Sequence, residues 1–216
     1  MMPAMRLEYP VLVLNGAVEW TADLAGLVRR ASPLFAADGG ANALARLGLM
    51  PDTVIGDLDS ISSGVRAWIG EDRIVRRSDQ STTDFEKALD VIFRERGHSR
   101  LTVLAASGGR IDHGIGNLAV LAREARGVDL LLRSDRQQLI ATSEPLDLDA
   151  VPGETWSFWS FDDDTRLSLR GVQWPLERRP IHVVRHASVS NVAVDHRIRI
   201  EPHDGTVVAC RHFGTP

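Results

Sequence analysis

The sequence predicts an α/β protein in which an open, mostly parallel sheet domain, residues 1–134, precedes a small antiparallel β-sandwich domain, residues 135–216. Two observations carry this prediction. Short, continuous apolar runs alternate with helix-like segments in the first part of the chain, which is typical of strands buried on both faces of a parallel sheet. After about Leu132 the chain changes to short β-like segments separated by turn-forming residues, which is typical of a small sandwich or barrel.

Four apolar runs of the first domain are predicted to be buried parallel strands. They are Val11–Leu14, Leu34–Ala37, Thr53–Ile55 and Leu101–Ala106. Glycine and polar residues follow these runs, and ligands of open α/β sheets bind beyond the carboxyl ends of the strands. We therefore expect the functional residues of this domain directly after the predicted strands.

Two amphipathic helices are predicted in the same domain, because apolar residues recur there at helical spacing. The apolar face of the first comprises Phe85, Ala88, Leu89, Ile92 and Phe93, and that of the second comprises Ile111, Ile115, Leu118, Ala119 and Ala122. Thr83 and Glu86 have the spacing of a capping box, which predicts that Thr83 caps the first helix.

Six short β-like segments are predicted in the second domain. They lie at residues 156–161, 167–169, 183–184, 192–194, 198–200 and 207–209. Asp162–Asp164 is predicted to form a turn between two of them. We expect Trp156, Trp159 and Phe161 in the core of the sandwich, and Cys210 is predicted to be structural.

The composition excludes several classes of protein. The chain has 25 basic and 29 acidic residues and a formal charge of −4, whereas general nucleic-acid binders usually have a basic surface. No apolar run approaches the roughly 20 residues of a membrane helix, and Met1–Arg6 lacks the pattern of a secretory signal. The single cysteine excludes a disulfide framework. We expect a soluble, cytoplasmic protein that binds neither nucleic acid nor membranes.

Five aspartates are predicted to lie at one rim of the parallel sheet. They are Asp38, Asp57, Asp59, Asp84 and Asp112. Each alone is also typical of an ordinary turn or helix start, so the conjunction carries the prediction. So many carboxylates repel one another unless a cation joins them, and oxygen ligands favour a hard ion such as Mg²⁺, which bridges substrate phosphates. The pattern therefore predicts a magnesium site.

Glycines and an arginine in the same places indicate a site for phosphate groups. Gly39 and Gly40, like Gly108-Gly109, would let backbone amides approach an anion closely, and Arg110 would add a fork of donors. Neither a P-loop nor a dinucleotide-binding fingerprint occurs in the chain, which argues against those two classes of enzyme. Lys87 is the only lysine, so phosphate contacts are expected mostly from arginine.

Four motifs in this order and spacing resemble those of the thiamine pyrophosphokinase family. They lie at residues 37–42, 51–60, 79–89 and 108–113, and two segments of the second domain, 171–176 and 188–191, resemble the thiamine-side segments of that family. The motifs are short individually and specific together. The resemblance spans roughly residues 11 to 210.

The resemblance implies an α/β ATP-binding domain, a thiamine-binding β-sandwich domain and a homodimer whose active sites lie at the subunit interface. It implies transfer of the pyrophosphoryl group of ATP to thiamine, with Mg²⁺ held by Asp57, Asp59 and Asp84. The catalytic residues would be Asp57, Asp59, Asp84 and Asp112. The residues that bind ATP or thiamine would be Asp38, Gly39, Gly40, Asn42, Gln80, Thr83, Arg110, Ser190 and Asn191.

Two departures from the family pattern concern the acceptor and one helix. Gly114 and Gly116 stand where relatives usually carry bulkier residues, and each costs about 1 kcal/mol in a helix relative to alanine. Residues 192–194 lack the aromatic residue that some relatives place there, and Trp174 is a candidate to replace it. Two alternatives therefore stay open: a pyrophosphokinase for another hydroxymethyl heterocycle, such as a pterin, and a nucleotide- or thiamine-binding module without catalysis.

Overall fold

The computed structural model describes residues 9–213 and divides the chain into two compact units, at residues 1–117 and 118–216. The domain boundary between residues 134 and 135 stays a prediction, because compactness alone does not define an independently folding domain. No helix of the described residues is long and apolar enough to cross a membrane.

The first unit alternates strands and helices along the chain. Its elements are β1 (Val11–Val13), α1 (Ala22–Arg29), β2 (Leu34–Ala37), α2 (Gly40–Arg46), β3 (Thr53–Gly56), α3 (Ser63–Ile69), β4 (Ile74–Arg76), α4 (Asp84–Leu89), β5 (Arg100–Leu104) and α5 (Ile111–Glu124). A 3₁₀ turn, Glu71–Arg73, precedes β4, and a π-helical segment, Asp90–Glu95, continues α4. Helix α5 continues past the end of this unit.

The strands of this unit form a parallel sheet in the order β5-β1-β2-β3-β4. Strands β1, β2 and β3 are buried along their whole length, because their continuous apolar residues are covered on both faces of the sheet. The predicted parallel sheet is therefore confirmed. Its parallel strands bring their carboxyl ends to one edge.

Side-chain caps fix where three helices of this unit begin. The hydroxyl oxygen of Thr21 accepts a hydrogen bond from the Leu24 amide at the start of α1, and Ser62 caps α3 in the same way. At α4 the predicted capping box of Thr83 and Glu86 is present in both directions. Each such cap stabilises a helix by about 1 kcal/mol, because it satisfies an amide that the helix leaves unpaired.

The predicted inner face of α5 is wrong, because none of its five residues is buried. Ile111 is 81% exposed and Ile115 is 58% exposed, whereas Val120 and Leu121 further along are buried. A Cβ added at Gly114 would meet no atom within 4 Å. The apolar spacing predicted the helix correctly, but it could not show which side of the helix would be covered, and the buried Val120 and Leu121 lie outside the predicted face.

The second unit is a β-sandwich. Its strands are β6 (Asp129–Arg133), β7 (Gln137–Thr142), β8 (Leu146–Asp149), β9 (Thr155–Trp159), β10 (Arg166–Arg170), β11 (Leu176–Pro180), β12 (Ser188–Val192), β13 (Arg197–His203) and β14 (Val207–His212). Within the unit, one antiparallel layer has the order β12-β9-β14-β7-β6 and the other β11-β10-β13-β8. Side chains of both layers, among them Phe158 and Leu167, share one core, so the predicted sandwich is confirmed.

Three local predictions for this unit have different outcomes. Trp156 is buried, with its ring stacked on Phe158 at 6.2 Å between centroids, whereas Trp159 and Phe161 are only half-buried. Asp162–Asp164 forms the predicted turn. The predicted strand at residues 183–184 is wrong: these two valines lie in an exposed turn between two bridge-paired histidines.

Candidate active site

Asp38 is a buried carboxylate at the end of strand β2. Its amide donates to the Ile55 carbonyl oxygen of β3 at 2.9 Å, and it adopts a positive φ of 39°, which is uncommon for a residue with a side chain. The carboxylate is 1% exposed; Oδ2 accepts the Ser60 amide at 3.1 Å, whereas Oδ1 is buried and receives no hydrogen bond from the described residues. Burial, reinforced by Asp59 and Asp84, raises the pKa of Asp38 to about 6. One oxygen of Asp38 is therefore open to a donor or cation that the described residues do not supply.

Asp57 and Asp59 follow the adjacent strand β3 and lie beside Asp38. One oxygen atom from each of the three carboxylates lies within 4.8 Å of the other two. Asp57 Oδ1 accepts the Asp59 amide at 3.3 Å, and Asp59 Oδ1 accepts the Ser60 hydroxyl at 2.8 Å. These bonds fold the chain after β3 so that both side chains face the end of β2. We call Asp38, Asp57 and Asp59 the aspartate cluster.

Gly56, the last residue of β3, makes room for this arrangement. An added Cβ would lie 2.9 Å from Asp38 Cβ and 3.3 Å from an oxygen of Asp84, at a φ of 152°. A side chain here would displace one or both carboxylates. The same distances show that Asp84, in the first turn of α4, lies beside the aspartate cluster.

Lys87 joins Asp84 to the aspartate cluster. Its Nζ donates to Asp84 Oδ1 at 3.1 Å and to Asp57 Oδ2 at 3.2 Å, and the residue is 6% exposed. Burial would lower the pKa of Lys87, but its hydrogen bonds to the two carboxylates hold it above the ordinary value. For Asp57 burial acts in the opposite direction and would raise the pKa, but the hydrogen bonds from Lys87 and Gln80 hold that pKa below its ordinary value.

Gln80 and Thr83 lie on the loop that leads into α4, and both side chains make internal bonds. Gln80 Nε2 donates to Asp57 Oδ2 at 3.1 Å, which brings this predicted residue to the aspartate cluster. The Thr83 hydroxyl is held in the capping box, where it donates to Glu86 Oε2 at 3.0 Å. Asp79 shapes the loop by accepting the Ser81 amide at 2.9 Å.

Asn42 holds the loop after β3 in place. Its amide nitrogen donates to the Ser60 carbonyl oxygen at 2.8 Å, and its oxygen accepts the Ser62 amide at 3.0 Å. Both ends of the side chain thereby hold the loop that carries Asp57 and Asp59. The structure thus places this predicted binding residue in the support of the aspartate cluster.

Gly39 and Gly40 allow close packing where α2 begins. A Cβ at Gly40 would lie 2.1 Å from the Val13 carbonyl oxygen of β1, and one at Gly39 would lie 2.4 Å from the Asn15 side chain. Gly40 is therefore needed to bring α2 onto the end of β1, whereas a side chain at position 39 would displace only the end of the Asn15 side chain. This requirement exists whether or not a phosphate group binds there.

Arg110 and Asp112 form an exposed ion pair at the start of α5. Arg110 Nε donates to Asp112 Oδ1 at 3.1 Å. The hydrogen bond from Arg110 is the main reason why the pKa of Asp112 falls to about 2. Gly108 and Gly109 before them adopt positive φ values of 88° and 86°, which suit glycine. Asp112 is thus paired with Arg110, whereas oxygen atoms of Asp38, Asp57 and Asp59 lie within 4.8 Å of one another and Lys87 joins Asp84 to Asp57.

Ser190 and Asn191 lie on strand β12 of the second unit. Asn191 is 1% exposed: its oxygen accepts the Trp174 and Val192 amides at 3.1 and 2.9 Å, and its amide nitrogen donates to the Trp174 carbonyl oxygen at 2.8 Å. Ser190 is exposed and has a φ of 58° where the pairing of β12 with β9 shifts register. The side chain of Asn191 thus holds the turn that presents Trp174, whose side chain is 55% exposed.

Sequence reasoning missed Lys87 and Ser60 as members of the site. Composition marks Lys87 only as the single lysine of the chain. The signal for its role is its position three residues after Asp84 on a predicted helix, because such residues are neighbours on one face. Ser60 donates a hydrogen bond from its backbone amide to Asp38, and the identity of a residue does not predict a backbone contact.

Two family models match the chain. The model described as "Thiamin pyrophosphokinase, catalytic domain" matches residues 24–132, and the one described as "Thiamin pyrophosphokinase, vitamin B1 binding domain" matches residues 143–207. The first covers the aspartate cluster, Asp84 and Lys87, and the second covers Trp174, Ser190 and Asn191.

Two curated relatives have the same name. Thiamine pyrophosphokinase 1 of Oryza sativa subsp. japonica is 34% identical over 150 residues, which are 59% of this chain and 56% of that protein. Thiamine pyrophosphokinase of Bacillus subtilis (strain 168) is 26% identical over 193 residues, which are 86% of this chain and 90% of that protein. The chain thus matches little more than half the length of the rice protein and most of the bacterial one.

Solved structures share the fold. The crystal structure of thiamine pyrophosphokinase from Bacillus subtilis has a TM-score of 0.80 at 23% identity, covering 95% of this chain and 99% of that one. Thiamin pyrophosphokinase from Candida albicans has a TM-score of 0.83 at 18% identity, covering 99% of this chain and 92% of that one. At these identities the likeness shows the architecture of the two units.

Proposed function

The chain belongs to the thiamin pyrophosphokinase family, and we propose that it transfers the pyrophosphoryl group of ATP to the hydroxyl group of thiamine, giving thiamine diphosphate and AMP. The observation that carries the proposal is the aspartate cluster at the carboxyl ends of β2 and β3, with the unpartnered oxygen of Asp38. The family match supplies the reaction, and the cluster supplies a place where polyphosphate charge is neutralised.

We propose Mg²⁺ as the cofactor of this reaction. The residues present fit it, because three carboxylates offer oxygen atoms within 4.8 Å of one another and one of those carboxylates has a buried oxygen without a donor. Asp57 and Asp59 are predicted ligands that also belong to the aspartate cluster, and we propose Asp38 as a further ligand. Asp84, the third predicted ligand, lies beside them and accepts a hydrogen bond from Lys87. Held by these carboxylates, Mg²⁺ would supply positive charge that neutralises the phosphate groups.

The chain's own residues would then position the reactants. The thiamine hydroxyl oxygen attacks the β-phosphorus of ATP, the bond from that phosphorus to the α-phosphate oxygen breaks, and AMP leaves. The hydroxyl proton passes to a carboxylate at this edge of the sheet. Arg110, whose guanidinium is exposed beside Asp112, is proposed to reach a phosphate. Such transfers depend mainly on alignment and charge neutralisation.

The binding of thiamine, the acceptor, is proposed to involve residues of the second unit. We propose that Ser190 and the exposed Trp174 contact thiamine, whereas Asn191 holds the turn on which Trp174 lies. An indole face attracts a cationic ring such as the thiazolium of thiamine, typically by about 0.5–2 kcal/mol. This assigns to Trp174 the aromatic contact that residues 192–194 lack.

Assembly and location also stay proposals. We propose a homodimer with active sites at its interface, as the resemblance implies; the exposed Ile111 and Ile115 on α5 are apolar surface that a second copy would bury. Sedimentation of the wild-type chain and of an Ile111→Glu variant tests this, and we expect the variant to be monomeric. The cytoplasmic location is proposed from the composition, and fractionation of cells tests it.

The decisive experiment measures AMP and thiamine diphosphate by chromatography, with ATP and Mg²⁺, in the presence and absence of thiamine. We expect equal amounts of both products with thiamine and little AMP without it. AMP formed with a pterin alcohol but not with thiamine would overturn the acceptor and retain the pyrophosphokinase. Thiamine binding without AMP formation would overturn the enzyme and favour a binding module.

A further inference from the structure

Lys87 is a single buried cation among four carboxylates. It is the only lysine of the chain and is 6% exposed, and its ammonium contacts Asp57 and Asp84 at 3.2 and 3.1 Å. Asp38 and Asp59 complete the group, since their oxygen atoms lie within 4.8 Å of an oxygen of Asp57. If all four carboxylates are ionised, Lys87 balances one of four negative charges.

The burial of Lys87 makes its charge effective. A buried ammonium is costly unless it is paired and hydrogen-bonded, and here two carboxylates supply both. The ammonium is a compact charge that lies between Asp57 and Asp84, in a chain whose 24 other Lys and Arg residues are all arginine. Its field acts on the aspartate cluster with little screening by water.

We propose that Lys87 is a positioning residue that acts as the resident cation of the aspartate cluster: it holds Asp57 and Asp84 in place and weakens the binding of a free divalent cation, so that the metal binds firmly only together with a polyphosphate. The inference rests on the proposed function in its choice of metal and co-substrate. Four carboxylates without a cation beside them would bind a dication tightly even when no phosphate is present. Lys87 neutralises part of their charge, so tight binding requires further ligands, and phosphate oxygens are ligands that Mg²⁺ favours.

Two simpler roles for Lys87 predict different results. If Lys87 only stabilises the fold, its removal lowers the melting temperature without tightening metal binding. If Lys87 instead binds the phosphates directly, its removal raises the KM for ATP and leaves metal binding in the absence of nucleotide unchanged. Metal affinity without nucleotide therefore separates the three roles.

The test measures Mn²⁺ binding to the full chain without nucleotide, by the loss of the free Mn²⁺ electron paramagnetic resonance signal at about pH 8. We expect Lys87→Met to bind Mn²⁺ at least about fivefold more tightly than wild type, because removing a nearby positive charge strengthens the attraction to the ion. Lys87→Arg, which retains the charge, is expected to stay within about twofold of wild type. Addition of ATP should tighten Mn²⁺ binding by wild type more than by Lys87→Met.

Arg94→Met is the matched control. Arg94 lies on the π-helical continuation of α4 and forms an exposed ion pair with Asp90, so the variant also loses one positive charge and an interaction with a carboxylate. We expect its Mn²⁺ affinity to equal that of wild type. If Lys87→Met does not fold, Lys87→Gln replaces it with the same expected direction.

Unchanged or weaker Mn²⁺ binding by a folded, uncharged Lys87 variant would overturn the inference. Equal tightening by Arg94→Met would also overturn it, because the effect would then reflect net charge. Mn²⁺ binding without nucleotide requires no activity toward any acceptor, so the result is readable even if the chromatographic assay rejects thiamine as the substrate.

Discussion

The strand ends of the first unit and strand β12 of the second unit both carry predicted binding residues, but they use their polar groups differently. Asp38 keeps a buried oxygen without a donor, beside two further carboxylates. Asn191 is equally buried, and both ends of its amide are bonded to the protein. A buried polar atom without a partner lowers stability, so the pattern at Asp38 indicates a ligand-binding residue. The pattern at Asn191 indicates a residue that stabilises the fold.

The comparison changes how a predicted site residue is assigned a role. Asn42 and Thr83 resemble Asn191, because their side chains hold a loop and a helix start respectively. Asp59 belongs with Asp38, because it lies in the same cluster, although its carboxylate is exposed. Substitutions of the two kinds should therefore separate activity from stability.

The largest effect is expected at Asp59. Asp59→Asn removes a charge from the aspartate cluster and keeps the shape of the side chain, so we expect kcat/KM to fall by about 10³-fold or more, which corresponds to about 4 kcal/mol of transition-state stabilisation. Because Asp59 is exposed, the melting temperature should change by less than about 2 °C. Steady-state kinetics and thermal denaturation measure the two quantities.

The matched control for Asp59 is Asp164→Asn in the turn after β9, which removes one exposed carboxylate far along the chain from the cluster. It should leave kcat/KM unchanged. Near-wild-type activity of Asp59→Asn would break the comparison, since an aspartate of the cluster would then be dispensable.

The next effect is expected at Asn191 and concerns stability. Asn191→Ala leaves the Trp174 amide and carbonyl without their partner, so we expect the free energy of unfolding to fall by about 2–4 kcal/mol, measured by urea denaturation. Ser190→Ala, next to it and exposed, is the control and should cost under about 1 kcal/mol. If Asn191→Ala is as stable as wild type and only raises the KM for thiamine, Asn191 is a ligand and our assignment as a support is wrong.

Local signals in the sequence were sufficient to predict strands β1, β2, β3 and β5, and to expect Asp38, Asp57 and Asp59 at one edge of the sheet. Uninterrupted apolar runs such as Leu34–Ala37 report burial on both faces, and an aspartate directly after such a run must lie at the sheet edge. Thr83 and Glu86 form their capping box within one helical turn, so spacing alone was sufficient.

What could not be predicted depends on contacts between distant parts of the chain. Asn42 reaches Ser60 and Ser62, and Asn191 reaches Trp174, and residue type does not tell which polar atoms such contacts will occupy. The exposure of Ile111 has the same origin, because helical spacing marks an apolar face without showing what covers it. The two valines at 183–184 have strand propensity, but the turn between His182 and His186 determines their conformation.

The smallest effect is expected on the free energy of unfolding and comes from the buried carboxylate of Asp38. The pKa of Asp38 is raised to about 6 by burial, above the value of about 3.9 in an unfolded chain. The folded state therefore binds its proton more tightly, so this residue's contribution to stability is lost as the pH rises from about 4 through 6. In metal-free protein at pH 8, we expect Asp38→Asn to be more stable than wild type by about 1–2 kcal/mol, because asparagine carries no charge into the buried site.

Urea denaturation with a chelator at pH 8 and at pH 4 measures this difference, and the gain should disappear at pH 4, where Asp38 is protonated and resembles asparagine. Adding Mn²⁺ at pH 8 should narrow the gap, because wild-type protein then recovers an ionic partner for Asp38 that Asp38→Asn binds less well. A gain of equal size at both pH values would trace the stabilisation to the amide's own hydrogen bonds and not to the buried charge. An Asp38→Asn variant that is less stable than wild type at pH 8 would mean that Asp38, like Asn191, supports the fold, and the contrast between the two regions would fail at its central residue.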